Sequence, residues 1–200
     1  VHLKPRLIVF DVEGVLIPKN RYLLFEASRR LSFISFLKML FTGFLYEAGL
    51  ISIETALTKI YKQLHGLTMD DVFQLYKKMP LIPGVKEVFE KLKRDGYKTA
   101  LISSGLPQLL VEYLANDLSA DYAVGLDLEI DDEGCLTGRI SGDVMKPNGK
   151  ALVLGEIMRK EGLTPKECAL VADDRNNLPM FKLCALKIGY NPDFVLSAKS

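Results

Sequence analysis

Cysteine is scarce: three in 200 residues, Cys135, Cys168 and Cys184, an odd number with no C-x-x-C pair. That argues against a secreted disulfide framework and a cysteine zinc site, and makes a reducing cytosol the expected compartment. The two histidines, His2 and His65, stand far apart with no cysteine beside them, so they do not form a metal site either. No apolar run reaches the ~20 residues that a membrane-spanning helix needs. The most apolar stretch, residues 31–45, is interrupted by Lys38. Lys4 and Arg6 are not followed by the apolar core and small-residue cleavage site of a signal peptide, so none is expected. Charge of one sign is missing too. With 26 Lys+Arg against 25 Asp+Glu the net charge is +1, which argues against bulk attraction to nucleic acid or an acidic membrane. The basic pairs Arg29-Arg30 and Lys77-Lys78 are too small to change that. Internal repeats and Ser-rich or Pro-rich linkers are absent.

What is present is ordinary globular material, 48% hydrophobic and 26% charged, which excludes disorder. A chain this long buries roughly 70% of its unfolded surface, enough for one domain or a main domain with a modest insert. Leu7-Ile8-Val9-Phe10 is a continuous apolar run that stops at Asp11 and a Glu13-Gly14 turn, as a strand buried on both faces does. Similar runs recur over 98–103, 168–172 and 185–188, separated by helical periodicity at 85–93 and 149–160. Strands alternating with helices predict an α/β fold with a parallel sheet covered on both faces.

Two stretches break the alternation. Residues 20–80 show helical periodicity and no strand, which predicts a small helical insert before the Leu81-Ile82-Pro83-Gly84 turn. Residues 124–144 alternate as a strand pair around the solvated acidic turn Asp131-Asp132-Glu133-Gly134, predicting a small β-hairpin ribbon. Within the insert, Ser32, Ser35, Lys38 and Thr42 form a narrow polar stripe on a helix otherwise apolar nearly all round. A helix buried on several sides is the favoured reading. A hydrophobic substrate pocket, a homodimer face and contact with a membrane surface are the alternatives.

The chemistry-bearing residues gather at strand ends. In a parallel α/β sheet, ligands bind beyond the carboxyl ends of the strands. Asp11 and Glu13 follow the first strand, Ser103 and Ser104 end the second before Gly105, and Asp173 and Asp174 follow the 168–172 strand. Two carboxylates at one edge can divide the work of nucleophile and general acid–base. Lys150, opening a helix after the Lys146-Pro147-Asn148-Gly149 turn, adds positive charge. A lysine, a hydroxyl and a metal around an aspartate are what phosphoryl transfer requires, because the charge on the transferring oxygens must be clamped.

The series Asp11-Val12-Glu13-Gly14-Val15-Leu16, Leu101-Ile102-Ser103-Ser104-Gly105, Lys150 and Ala172-Asp173-Asp174-Arg175-Asn176-Asn177 resembles the four motifs of the haloacid dehalogenase-like hydrolases. It is most similar to the phosphoserine phosphatase branch, over nearly the whole chain. The resemblance implies a three-layer Rossmann-like core at 1–18 and 81–200, with an inserted helical cap at 19–80. It implies a cytoplasmic, Mg²⁺-dependent phosphatase acting on a small-molecule phosphomonoester, with no nucleic acid and no membrane span. Asp11 would be the nucleophile and Glu13 the acid–base. Ser103, Ser104, Gly105 and Lys150 would hold the phosphoryl group. Asp11, the Glu13 main-chain carbonyl, Asp173 and, ranked lower, Asp174 would hold the metal.

The sequence departs from the family pattern in three places. Glu13 replaces an aspartate, which implies retained but slowed hydrolysis. Ala172 and Asn177 replace a glycine and an acid, which implies a weaker metal site. Asn20 and Ile60 fall where the branch reads the ammonium and carboxylate of phosphoserine, which implies poor phosphoserine binding and a less polar leaving group. A degenerate member that binds a phosphorylated ligand or partner without turnover is the competing reading, and a phosphotransferase would need the same residues. A receiver domain would place its acidic pair and phosphoacceptor in a different order and carry no cap. Few residues follow 185–188, so either the fold is short there or these 200 residues belong to a longer protein.

Overall fold

A computed structural model describes residues 5–19, 31–77 and 80–198. Strand β1 (Leu7–Phe10) has every residue buried. It is followed by helices α1 (Phe33–Glu47), α2 (Ile53–Lys62), α3 (Met69–Lys77) and α4 (Val85–Arg94). Then come β2 (Lys98–Pro107), α5 (Gln108–Leu118), β3 (Tyr122–Ile130), β4 (Leu136–Ser141) and α6 (Gly149–Glu161). The remaining elements are β5 (Cys168–Ala172), α7 (Leu178–Phe181), β6 (Leu186–Gly189) and α8 (Phe194–Ser197). None of the described helices is long and apolar enough to cross a membrane.

The strands form one sheet in the order β4-β3-β2-β1-β5-β6, parallel except for the β3–β4 pair. β1 therefore lies between β2 and β5, with Phe10 in register with Leu101 on one side and Val171 on the other. Alternation along β1 sends Leu7 and Val9 to one face and Ile8 and Phe10 to the other. The first face packs on Val153, Leu154, Ile157 and Met158 of α6, the second on α4 and α5, where the Phe10 and Phe89 rings lie 4.7 Å apart. This is the three-layer Rossmann-like α/β architecture of the expectation.

The expected hairpin is present, since β3 pairs antiparallel with β4 around the acidic turn. β3 also pairs parallel with β2, so the hairpin extends the main sheet. Alternation reports which faces a strand shows, not how many neighbours it has. One expectation needs correction. α1 is not buried on several sides: Phe33, Ile34, Leu37, Phe41 and Phe44 are exposed, while Met39 and Thr42 are buried. α1 packs chiefly on α2, and Ser32 and Ser52 cap these two helices through bonds to the Ser35 and Thr55 N–H groups. The helices are tied to the sheet by the Tyr61 hydroxyl, which donates to the Gly105 carbonyl at 2.7 Å, and by backbone bonds of Gly66 and Leu67 with Leu136.

The scarce cysteines are not scattered. Cys168 and Cys184 are buried with their sulfurs 3.0 Å apart, whereas Cys135 is half-buried at the hairpin. Mild oxidation with diamide is expected to join Cys168 to Cys184 and leave Cys135 open to alkylation. The closed 16-residue separation should raise stability by about 1–3 kcal/mol. Peptide mapping and a melting curve check both points, and a disulfide involving Cys135 would contradict the geometry.

Candidate active site

The site begins where β1 stops. The Asp11 N–H donates to the Val171 carbonyl at 3.0 Å, the last step of the strand, and the chain then folds back over Val12, Val15, Leu16 and Ile17, all buried. Gly14 makes this turn possible. Its φ is +83°, and a Cβ there would stand 2.0 Å from Asp173 Oδ2. The turn thus carries the Asp11 and Glu13 carboxylates together to the carboxyl edge.

Asp11 is clamped from three sides. Its Oδ1 accepts from the Val12 N–H at 2.8 Å and from Lys150 Nζ at 2.8 Å, and its Oδ2 accepts from the Asn177 amide. Lys150, on the first turn of α6, is as buried as Asp11 and also donates to Asn177 Oδ1 at 3.0 Å. Burial opposes the charge on Lys150, but the carboxylates of Asp11 and Asp174 outweigh it and hold the ammonium above the usual lysine range.

Asn177 is the residue that sequence reasoning undervalued. Its amide donates to Asp11 and, at 3.0 Å, to Asp174 Oδ1, while its carbonyl accepts from Lys150. An acid at this position would lack those donors and would add another negative charge against Asp11. The only signal in the sequence was an amide following two aspartates.

Glu13 is half-buried, and its Oε2 accepts from the Ser103 hydroxyl at 2.7 Å. Burial and then the charge of Asp11 push its carboxyl up from 4.5 to about 7, with Ser103 and Lys150 pulling the other way. Ser103 is fully buried, and its oxygen also accepts from the Gly105 and Leu106 N–H groups. In this arrangement its hydroxyl serves Glu13, and it is Ser104 and Gly105 that line the cavity. Gly105 allows the close approach, since a Cβ there would lie 2.3 Å from Glu13 Oε1.

A second acid pair ends β5. Asp173 Oδ2 pairs with Lys19 Nζ at 2.7 Å, and Lys19 also reaches Asp174 at 3.9 Å. Lys19 is a site residue that the sequence reading missed, because nothing local marks its partners. Among the described residues Asp173 Oδ1 is buried without a hydrogen-bond partner, and burial, ahead of its acidic neighbours, raises the Asp173 carboxyl from 3.8 to about 6. Asp174 is likewise raised, first by burial and then by Asp11.

Carboxylate oxygens of Asp11, Asp173 and Asp174 lie within 4.8 Å of one another. Hard oxygen donors, an unpartnered buried carboxylate oxygen and raised carboxyls fit a divalent cation such as Mg²⁺. The Glu13 carboxyl stands outside that cluster, on Ser103.

Above these groups is a cavity of about 460 Å³, walled on the far side by α1 and α2. Ile60 lies on that wall, while Asn20 lies outside the described residues, as do His2, Arg29, Arg30 and Lys78. His65 is exposed.

Fold and site define an α/β enzyme that works at the carboxyl edge of a parallel sheet, around a buried, lysine-paired aspartate. The sequence model of the haloacid dehalogenase-like hydrolases matches residues 8–182. The phosphoserine phosphatase of Archaeoglobus fulgidus is 36% identical over 148 residues, 74% of this chain but 42% of that protein. The phosphoserine phosphatase of Methanocaldococcus jannaschii is 30% identical over 197 residues, 98% of this chain and 90% of that protein. The chain thus spans less than half of the first relative and most of the second. A solved phospho-aspartyl intermediate analogue of phosphoserine phosphatase superposes with a TM-score of 0.85 at 28% identity, covering 98% of this chain and 91% of that one. A substrate-bound phosphoserine phosphatase superposes with a TM-score of 0.86, also at 28% identity and over the same shares of both chains. The chain belongs to the haloacid dehalogenase-like hydrolase family, on its phosphoserine phosphatase-like branch.

Proposed function

We propose that this phosphoric monoester hydrolase cleaves a small phosphomonoester through an aspartyl-phosphate on Asp11, with residues 19–80 acting as the cap. The observation that carries the reading is the clamped, buried Asp11 carboxylate on the cavity floor, beside a Glu13 carboxyl pushed up to about 7. In the first step an Asp11 carboxylate oxygen bonds to phosphorus as the ester P–O bond breaks, and Glu13 gives its proton to the leaving oxygen. Glu13 then takes a proton from water. The water oxygen bonds to phosphorus, the Asp11–phosphorus link breaks, and phosphate leaves with the carboxylate restored. A group titrating near neutrality suits both proton transfers. Lys150 holds Asp11 in place and offsets the charge gathering on the phosphoryl oxygens, and the Ser104 and Gly105 segment forms their seat. Asp11, Asp173 and Asp174 would hold Mg²⁺, which when bound supplies charge neutralisation to the phosphoryl group.

The relatives above are phosphoserine phosphatases. For this chain a less polar leaving group is the better reading, because the described wall facing Asp11 is made mainly by apolar residues of α1 and α2, with Tyr46 among them.

The test is a rapid acid quench during turnover of an aryl phosphate with Mg²⁺. A base-labile phosphate on the peptide containing Asp11, together with phosphate release that chelation abolishes, is expected. Turnover without label on Asp11 would overturn the intermediate. Binding of a phosphate mimic without turnover of any ester would favour the non-catalytic reading instead.

A further inference from the structure

The cavity over Asp11 has two chemically different halves. Its floor is polar: Asp11, Glu13, Ser104, Lys150, Asp174 and Asn176. Its roof comes from α1 and α2, and there Leu40, Gly43, Ile53, Ala56, Leu57 and Ile60 face inward at helical spacing. Tyr46 of α1 also lines the roof. Among the described residues, the two cations on the lining are engaged with acids of the floor, Lys150 with Asp11 and Lys19 with Asp173. A leaving group that reaches the roof therefore meets mainly hydrocarbon, and among the described residues of the roof a charged ammonium or carboxylate would find no charged partner against its desolvation.

Gly43 gives the roof its shape. It sits well inside a 15-residue helix, where glycine weakens the helix relative to alanine. Packing does not require it, since a Cβ at this position would meet nothing within 4 Å. The missing side chain leaves the helix no closer to any neighbour and leaves the cavity wider. We propose that this roof selects phosphomonoesters with an apolar leaving group, an alkyl chain or an aromatic ring, and that Gly43 sets how long or broad that group can be. The inference rests on the hydrolase reading above and adds the substrate class and a specificity-determining residue.

The experiment compares kcat/KM, with Mg²⁺, for ethyl, butyl and hexyl phosphate, 1-naphthyl phosphate and O-phosphoserine. Each methylene fully enclosed by an apolar pocket is worth roughly 10- to 200-fold. This cavity is partly open, so a gain of about 10-fold or more over the whole ethyl-to-hexyl series is expected, with naphthyl phosphate above phosphoserine by a similar factor. Gly43→Leu should cut the hexyl-to-ethyl ratio at least about 10-fold by filling the space. Gly43→Ala, which removes the helix penalty in open space, should melt no lower than the parent and reports on folding independently. A preference for phosphoserine, or an unchanged hexyl-to-ethyl ratio in Gly43→Leu, would overturn the inference while leaving the hydrolase reading intact. If no ester is hydrolysed, the hydrolase reading fails. Thermal shift with hexyl phosphate against phosphoserine then decides the inference, and an equal or larger shift with phosphoserine counts against it.

Discussion

Asp11→Asn is expected to lower kcat for phosphomonoester hydrolysis by at least about 10⁴-fold, the scale on which loss of a covalent nucleophile is felt. The substitution is close to isosteric, so the loss would not come from a displaced fold. An asparagine carbonyl oxygen can still accept from the Val12 N–H and from Lys150 Nζ, as Asp11 Oδ1 does now. The other side cannot be matched. Asp11 Oδ2 accepts from the Asn177 amide, and an asparagine NH₂ there would face a second donor. Turning Asn177 over would place its carbonyl correctly for that group, but would take away the acceptor that Lys150 uses. One unsatisfied buried group costs ~1–3 kcal/mol. Removal of a negative charge close to Glu13 and Asp174 offsets part of it. The same substitution should bring the Glu13 carboxyl down from about 7, because Asp11 is, after burial, the largest cause of that elevation. A kinetic assay together with a carbon-detected NMR titration of Glu13 in the metal-free variant reads both effects. Retention of more than a few per cent of parent activity in a folded variant would remove Asp11 from its proposed role.

The parts of this arrangement legible in the sequence are those where chemistry and periodicity coincide. β1 and β5 are continuous apolar runs, and each ends at the residue where the chain leaves the sheet, so Asp11, Asp173 and Asp174 could be placed on one edge before their distances were known. Lys150 was readable only in company with them, since a lysine opening a helix is otherwise unremarkable. The less legible parts are those fixed by tertiary closure. Lys19 meets Asp173 because the Gly14 turn brings the two against each other, and no local pattern announces it. Asn177 looked like a lost acid, yet its value lies in the donors that an acid lacks. α1 shows the limit of periodicity from the other direction. A helix apolar nearly all round reads as buried, but Phe33, Phe41 and Phe44 are exposed, because burial depends on what packs against a face. The hairpin was legible from its alternation and acidic turn, while its pairing to β2 is set by tertiary closure.

The site should also make the metal-free protein less stable as pH rises through the weakly acidic range, the reverse of ordinary acid denaturation. Glu13 is raised from 4.5 to about 7 and Asp173 from 3.8 to about 6, in both cases by burial first and nearby acids afterwards. Between the unfolded and folded values the unfolded chain has released these protons and the folded chain has not. The folded state then binds more protons, and unfolding free energy falls with pH. The loss begins near pH 4, is complete above about pH 7, and amounts to ~3 kcal/mol from each group, at 1.36 kcal/mol per pKa unit. Carboxylates with lowered values, such as Glu161 and Glu167, act in the opposite direction, but their effect runs up to the ordinary carboxylate value and is nearly spent by about pH 5. Urea unfolding in the presence of a chelator, at pH 5 and pH 8 and fixed ionic strength, should therefore give a clearly lower midpoint at pH 8. Asp173→Asn should remove a substantial share of that difference, because an amide in its place has no proton to lose and no charge to bury. Saturating Mg²⁺ should stabilise the protein more at pH 8 than at pH 5, since a cation binds the ionised carboxylates in preference to the protonated ones. A metal-free midpoint that rises from pH 5 to pH 8 would mean that burial, with the neighbouring acids, does not hold these carboxyls protonated as a metal-free cation site requires.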